Sequence, residues 1–211
     1  MMQILTAAGI AGAALAAAAT AAAPATVTLT ASAPTVGYGK PVTLSGTLST
    51  HKENQTIAVQ ATECGSTKAV KVATVRTKAN GVYTTPVTPA LGTSYQASYK
   101  NVKSTAVALA VRPLLLLTRV ARGSFTAKVT AGQALTGKAV LFQRYAKLRK
   151  RWVQVKRVVL GAATPGPAKP TMITSASFKA KVPLKARVRL LISVAQAGPC
   201  YLTATSPVIR A

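Results

Sequence analysis

From Thr26 onward apolar and polar residues alternate in short runs that are separated by turn-forming residues. In Pro41–Leu48, Val42 and Leu44 fall on one side and Thr43 and Ser45 on the other, the two-residue period of a half-buried strand. Runs at 27–30, 41–48, 56–62, 69–76, 81–88, 93–99 and 105–111 give seven predicted strands within residues 26–112. The intervening segments are Gly-, Asn-, Ser- or Pro-containing, and Asn80-Gly81 is a strong tight-turn signal because both residues tolerate positive φ. No helical period intervenes. Short strands at this spacing predict a Greek-key β-sandwich.

Arg112-Pro113 closes that unit, and the pattern begins again at once. Runs at 114–118, 123–131, 138–145, 152–160, 173–182, 186–194 and 201–209 predict seven more strands, with breaks at Gly132, 161–170, Pro183 and 197–199. The expected organisation is two tandem all-β sandwiches, residues 26–112 and 113–211, held in a restricted end-to-end arrangement by a very short linker. Internal echoes suggest duplication. The stretch from Thr74 to Val87 resembles Thr174–Val182, and Tyr95 with Ser104–Val107 resembles Tyr201 with Ser206–Val208.

The first 25 residues follow neither pattern. They contain thirteen alanines and no charged side chain, with an apolar run from Ile4 to about Ala19. This reads as the apolar region of a signal peptide, and Ala23-Pro24-Ala25 places small residues where cleavage before Thr26 requires them. Cleavage after Ala21 is the other candidate, and an uncleaved anchor the alternative; no Lys or Arg precedes the apolar run. The resulting expectation is a secreted or cell-surface protein.

Charge then narrows the function. The chain has 211 residues, with 27 Lys and Arg against two acids, a formal net charge of +25. The acids are Glu53 and Glu63; aspartate is absent, and His51 is the single histidine. Two carboxylates cannot build a calcium or magnesium cage, the few potential zinc ligands are scattered, and a Ser-His-Asp triad cannot be written. A pairing of Cys64 with His51 as thiol and base lacks an orienting residue. Composition thus points away from catalysis. No cofactor and no small-molecule substrate are indicated.

The charge is also uneven. Residues 26–112 carry nine cations and both glutamates, for +7, whereas residues 113–211 carry eighteen cations and no acid, for +18. The densest run, Arg144 to Arg157, reads as a hairpin whose tip is Lys147–Arg151. Arg144, Lys147, Arg149, Lys150, Arg151, Trp152, Lys156 and Arg157 form the candidate binding set, because a basic projection beside aromatic rings can hold phosphates or sulfates and stack on sugars or bases. Lys179, Lys181, Lys185, Arg187 and Arg189 could widen it. The competing reading is a merely soluble surface, with Trp152 in the core.

The motifs Gly39-Lys-Pro-Val-Thr-Leu-Ser-Gly46, Val72–Thr77 with Gly81-Val-Tyr83, and Val107 to Pro113 together resemble a bacterial Ig-like repeat. The second half has a related cadence in Gly137–Arg144, Trp152–Val155 and Cys200-Tyr-Leu202. The whole arrangement is similar to secreted tandem Ig-like proteins of actinobacteria. That resemblance implies an Ig-like fold and export, and it carries no active-site residues.

Cys64 and Cys200, one in each half and both next to turns, suggest a disulfide across the junction of an exported chain. Unpaired thiols or intermolecular pairs are the alternatives. The function expected is non-catalytic binding, through the basic second half, of anionic polymers such as teichoic acid-like wall polymers, anionic lipid headgroups or extracellular DNA. A protein-recognition or adhesion module, with charge serving only to localise it, is the alternative.

Overall fold

A computed structural model describes residues 24–211. The signal-peptide reading of residues 1–25 therefore lies, but for its last two residues, outside the described residues.

Nine strands precede Pro113: β1 (Thr30–Ala31), β2 (Thr35–Gly37), β3 (Val42–Thr47), β4 (Thr56–Glu63), β5 (Val70–Arg76), β6 (Val82–Val87), β7 (Thr93–Tyr99), β8 (Val102–Lys103) and β9 (Val107–Arg112). They form one sheet ordered β1-β3-β6 and a facing sheet ordered β2-β9-β7-β4-β5, with β8 beside β7. The chain crosses between sheets after β1, β2, β3, β5 and β6, which is the Greek-key path of an Ig-like sandwich. Alternation decides which side chains go inside: Val42, Leu44, Ile57, Val59, Tyr83, Ala97 and Leu109 are all buried.

The second set comprises β10 (Leu114–Ala121), β11 (Ser124–Ala131), β12 (Ala139–Ala146), β13 (Arg151–Val159), β14 (Ala163–Pro165), β15 (Met172–Lys179), β16 (Arg187–Ile192), the helical turn α1 (Val194–Ala197), β17 (Ala204–Thr205) and β18 (Ile209–Arg210). Its sheets are β10-β11-β15-β14 and β13-β12-β16, with β17 and β18 both on β16. Phe125, Phe142 and Phe178 pack between them, with ring centroids 5.0–5.7 Å apart. The described residues are nearly all β and Ig-like in both halves.

Three departures from the sequence-based expectation have local causes. The run at 27–30 yields only a bridge, Val27 to Leu48, and the two-residue β1. Here the Thr28 hydroxyl accepts the Thr47 N–H, and the Thr28 carbonyl accepts the Tyr83 hydroxyl, so side chains interrupt the ladder. Gly46 permits this, since a Cβ there would collide with the Tyr83 ring and the Thr28 carbonyl. The segment 161–170, expected as a break, contains β14. The segments expected to be continuous at 186–194 and 201–209 are shorter, with α1 after β16 and the last strand split into β17 and β18.

The split is caused by Ser206. Its Oγ accepts the Leu190 N–H at 2.9 Å and donates to the Pro207 carbonyl, while its N–H donates to the Leu190 carbonyl. Ser104 makes the same three bonds, with Ala97 and Thr105, and separates β8 from β9. This part of the internal echo is a structural equivalence. The tyrosines are not equivalent: Tyr95 lies inside β7, whereas Tyr201 lies in the loop after α1.

That loop joins the two sandwiches. Cys64, directly after β4, is disulfide-bonded to Cys200. The Gly92 N–H donates to the Cys200 carbonyl at 2.9 Å, and the Leu202 N–H to the Val111 carbonyl at 2.8 Å. The Tyr201 hydroxyl accepts the Gly132 N–H at 2.8 Å and donates to the Ala90 carbonyl at 3.3 Å. Burial pushes the Tyr201 phenol up to about 12, so it remains a neutral donor at this junction. Tyr38 also donates to the Thr171 hydroxyl at 2.9 Å.

Candidate functional site

The basic run folds as the β12–β13 hairpin. Its turn, Lys147–Lys150, is closed by the Lys150 N–H donating to the Lys147 carbonyl at 3.2 Å. Lys150 has φ +47°, a left-handed position that a four-residue turn needs and that glycine or asparagine more often fills. Lys147, Leu148, Arg149, Lys150 and Arg151 are all exposed.

Next to the tip, Tyr145 and Trp152 face each other across the strands, edge to face, with ring centroids 5.4 Å apart. The neighbouring strand β16 adds two guanidinium groups. Arg187 lies 5.0 Å from the Tyr145 ring, and Arg189 lies 4.1 Å from the Trp152 ring. Arg189 Nε also donates to Gln143 Oε1 at 2.9 Å. Partial burial lowers the Arg189 guanidinium from its ordinary value. Trp152 is thus half-buried on the outer face beneath two arginines; it is neither a core residue nor an open stacking platform.

The structure divides the eight candidates. Lys147, Arg149, Lys150, Arg151 and Trp152 are together at the tip. Arg144, paired with Val153 and Val188, is half-buried and lines a cleft behind the tip. A bulge at Val155 sets off the remaining two from the tip. The Lys156 ammonium reaches across the sandwich edge to the Lys179 carbonyl at 3.0 Å, and Arg157 stands opposite Leu141. Neither side chain joins the tip group.

Other cations do join it. The pairing of β16 with β12 and β18 brings the β15–β16 loop and Arg210 beside the tip. A cleft of about 800 Å³ results, lined by Arg144, Lys147, Arg149, Lys185, Arg187 and Arg210 together with Leu148, Val153 and Leu184. The Ala180 N–H donates to the Gly123 carbonyl at 2.9 Å, which places the β10–β11 turn against the same loop. A second hollow of about 700 Å³, containing Arg122, Lys179 and Lys181, shares Pro183 with the first. These loops lie at the end of the sandwich away from Cys200. Neither glutamate is near: Glu63 adjoins Cys64 at the junction, and Glu53 lies in the β3–β4 loop.

Lys185 and Arg187 belong to the alternating basic set that the sequence offers, whereas Arg122 and Arg210 stand outside both basic stretches and are brought here by the β10–β11 turn and the β16–β18 pairing. No group of three His, Cys, Asp or Glu among the described residues is placed to hold a metal ion. His51 is exposed in a turn, with Nδ1 3.3 Å from the Asn80 carbonyl. Cys64 is consumed by the disulfide. What this end of the molecule offers chemically is many charged donors without a competing acidic side chain.

No protein-family model matches the chain, and no curated protein matches it. Among solved structures, it is similar to a tetra-tandem repeat in the extending region of a large adhesion protein, at 13% identity and a TM-score of 0.35. That match covers 89% of this chain and 49% of the other, so the chain spans about half its length. A marsupial T cell receptor matches at 10% identity and a TM-score of 0.32, over 87% of this chain and 100% of that one.

Proposed function

We propose that this protein is a non-catalytic, exported binding module whose second sandwich holds anionic wall or surface polymers. The observation that carries the proposal is the sorting of charge. Cations from four separate segments converge on one end of the molecule, and no acidic side chain neutralises them. Such a field concentrates polyanions and steers their approach. The Cys64–Cys200 bridge supports an oxidising, extracytoplasmic setting.

The test is retention of the whole chain on immobilised heparin, teichoic acid or duplex DNA across a salt series. Retention should fall steeply with salt, as counterion release requires. Changing Lys147, Arg149, Lys150 and Arg151 together to Gln should weaken it and reduce the salt slope by roughly 0.7–0.9 for each phosphate no longer engaged. The same change at Lys40, Lys68, Lys71 and Lys78 of the first sandwich should leave elution nearly unchanged. Failure to bind any of the three polymers at low salt would end the proposal.

A further inference from the structure

The cationic end carries two leucines that charge alone does not explain. Leu148 stands at the apex of the β12–β13 turn and is 101% exposed; Leu184, across the cleft, is 61% exposed. A single exposed leucine is ordinary, but two facing each other across one small cleft form an apolar feature ringed by cations.

The first sandwich shows what happens to the matching position when it is covered. Val59 pairs with Ala97 as Phe142 pairs with Leu190, so counting along the strands matches Leu91 to Leu184 and Cys64 to Lys147. Leu91 packs against the core at the end where the Cys200 loop bonds to Gly92 and Val111. Leu184 has no such cover. The segment around Leu148 also projects, with cations on either side in Lys147-Leu-Arg-Lys-Arg151, so its apex needs a medium that yields rather than a fitted pocket.

We infer that this end docks on anionic lipid bilayers, with Leu148 and Leu184 entering the headgroup–acyl boundary while the surrounding lysines and arginines bind lipid phosphates. The inference rests on the polyanion reading and specifies the anion as one borne on an apolar layer. Basic side chains supply attraction near the surface, and apolar side chains add salt-resistant affinity.

The experiment is co-sedimentation of the whole chain with phosphatidylcholine vesicles, with and without phosphatidylglycerol, run beside heparin retention. Binding should require phosphatidylglycerol. The double variant Leu148→Ser/Leu184→Ser should lose vesicle affinity by about tenfold or more, a far larger change than in its heparin elution, with the thermal midpoint unchanged because both side chains are exposed. Leu148→Phe should bind vesicles at least as tightly as the parent. Unchanged vesicle binding by the double serine variant would overturn insertion and leave charge acting alone. Heparin retention without vesicle binding would overturn the lipid assignment while polymer binding stood, leaving the leucines to a protein partner. Failure of both would remove the polyanion reading and this inference together.

Discussion

The β4–β5 and β12–β13 hairpins occupy the same place in their two sandwiches and end very differently. Both contain a bulge at the matching position, Val72 in one and Val155 in the other. Both have their first strand paired to a central strand that a serine clamps, Ala97 by Ser104 and Leu190 by Ser206. Beyond that shared frame, the first hairpin reaches Cys64 and is bonded to the neighbouring sandwich; the second reaches Lys147 and open water. The backbone plan sets where a hairpin tip lies, and the tip residues set whether it meets a partner within the chain. Main-chain hydrogen bonds and a disulfide suit a fixed neighbour, whereas solvated cations suit one that arrives from solution.

Four measurements test this contrast between the two sandwiches. Replacing Cys64 and Cys200 by Ser should have the largest effect. A bridge spanning 136 residues contributes up to about 5 kcal/mol in the chain-entropy model. Urea unfolding should then move to lower concentration and separate into two transitions; one unaltered transition would show that the hydrogen bonds alone couple the halves.

Alkaline titration should act unevenly. Burial raises Tyr83, Tyr95 and Tyr201 from 10.0 to about 12, so each holds its proton more tightly when folded than unfolded. Their stabilising contribution is complete below pH 10 and is lost as pH rises toward 12. Two of the three lie in the first sandwich and the third at the junction, so these should loosen first. Tyrosinate absorbance followed beside the thermal midpoint reads both, and early exposure of Trp152 would contradict that order.

The serine clamps test the duplication itself. Ser104→Ala and Ser206→Ala should each cost about 1–3 kcal/mol, because each leaves a buried N–H without its acceptor. A marked inequality in denaturant unfolding would show that the two clamps are not energetically equivalent. Arg189→Gln should have the smallest effect, about 0.5–1 kcal/mol, because it removes the cation above the Trp152 ring. Trp152 is the single tryptophan, so its emission should shift while the first sandwich is undisturbed.

Much of this architecture is legible in the sequence because alternation is a local property. Val42, Leu44 and Tyr83 declare their face from their neighbours alone, and a pair of cysteines beside turns announces the bridge. The broken strands are less visible, since Ser104 and Ser206 act by side-chain bonds to strands seven and sixteen residues back, which the two-residue alternation does not register. The same limit applies to the charged end. Lys147–Arg151 can be seen as a run and Lys185 as part of an alternating basic set, but Arg210 reaches the tip only through the pairing of β16 with β12 and β18, and Arg122 reaches the adjoining hollow only through the packing of the β10–β11 turn. Lys156 and Arg157 resemble members because they are close in sequence, and a single bulged residue diverts them.

The junction has a mechanical consequence for that charge. Because a covalent bridge and several hydrogen bonds couple the sandwiches, an electrical torque on one rotates both. The second sandwich carries +18 against +7 for the first, and its densest cations gather at one extremity, so the molecule has a long charge lever. Near an anionic surface, within a Debye length of about 8 Å at physiological ionic strength, it should turn end-on before touching. The β3–β4 loop would then be held outward, making the first sandwich the face that the surroundings meet.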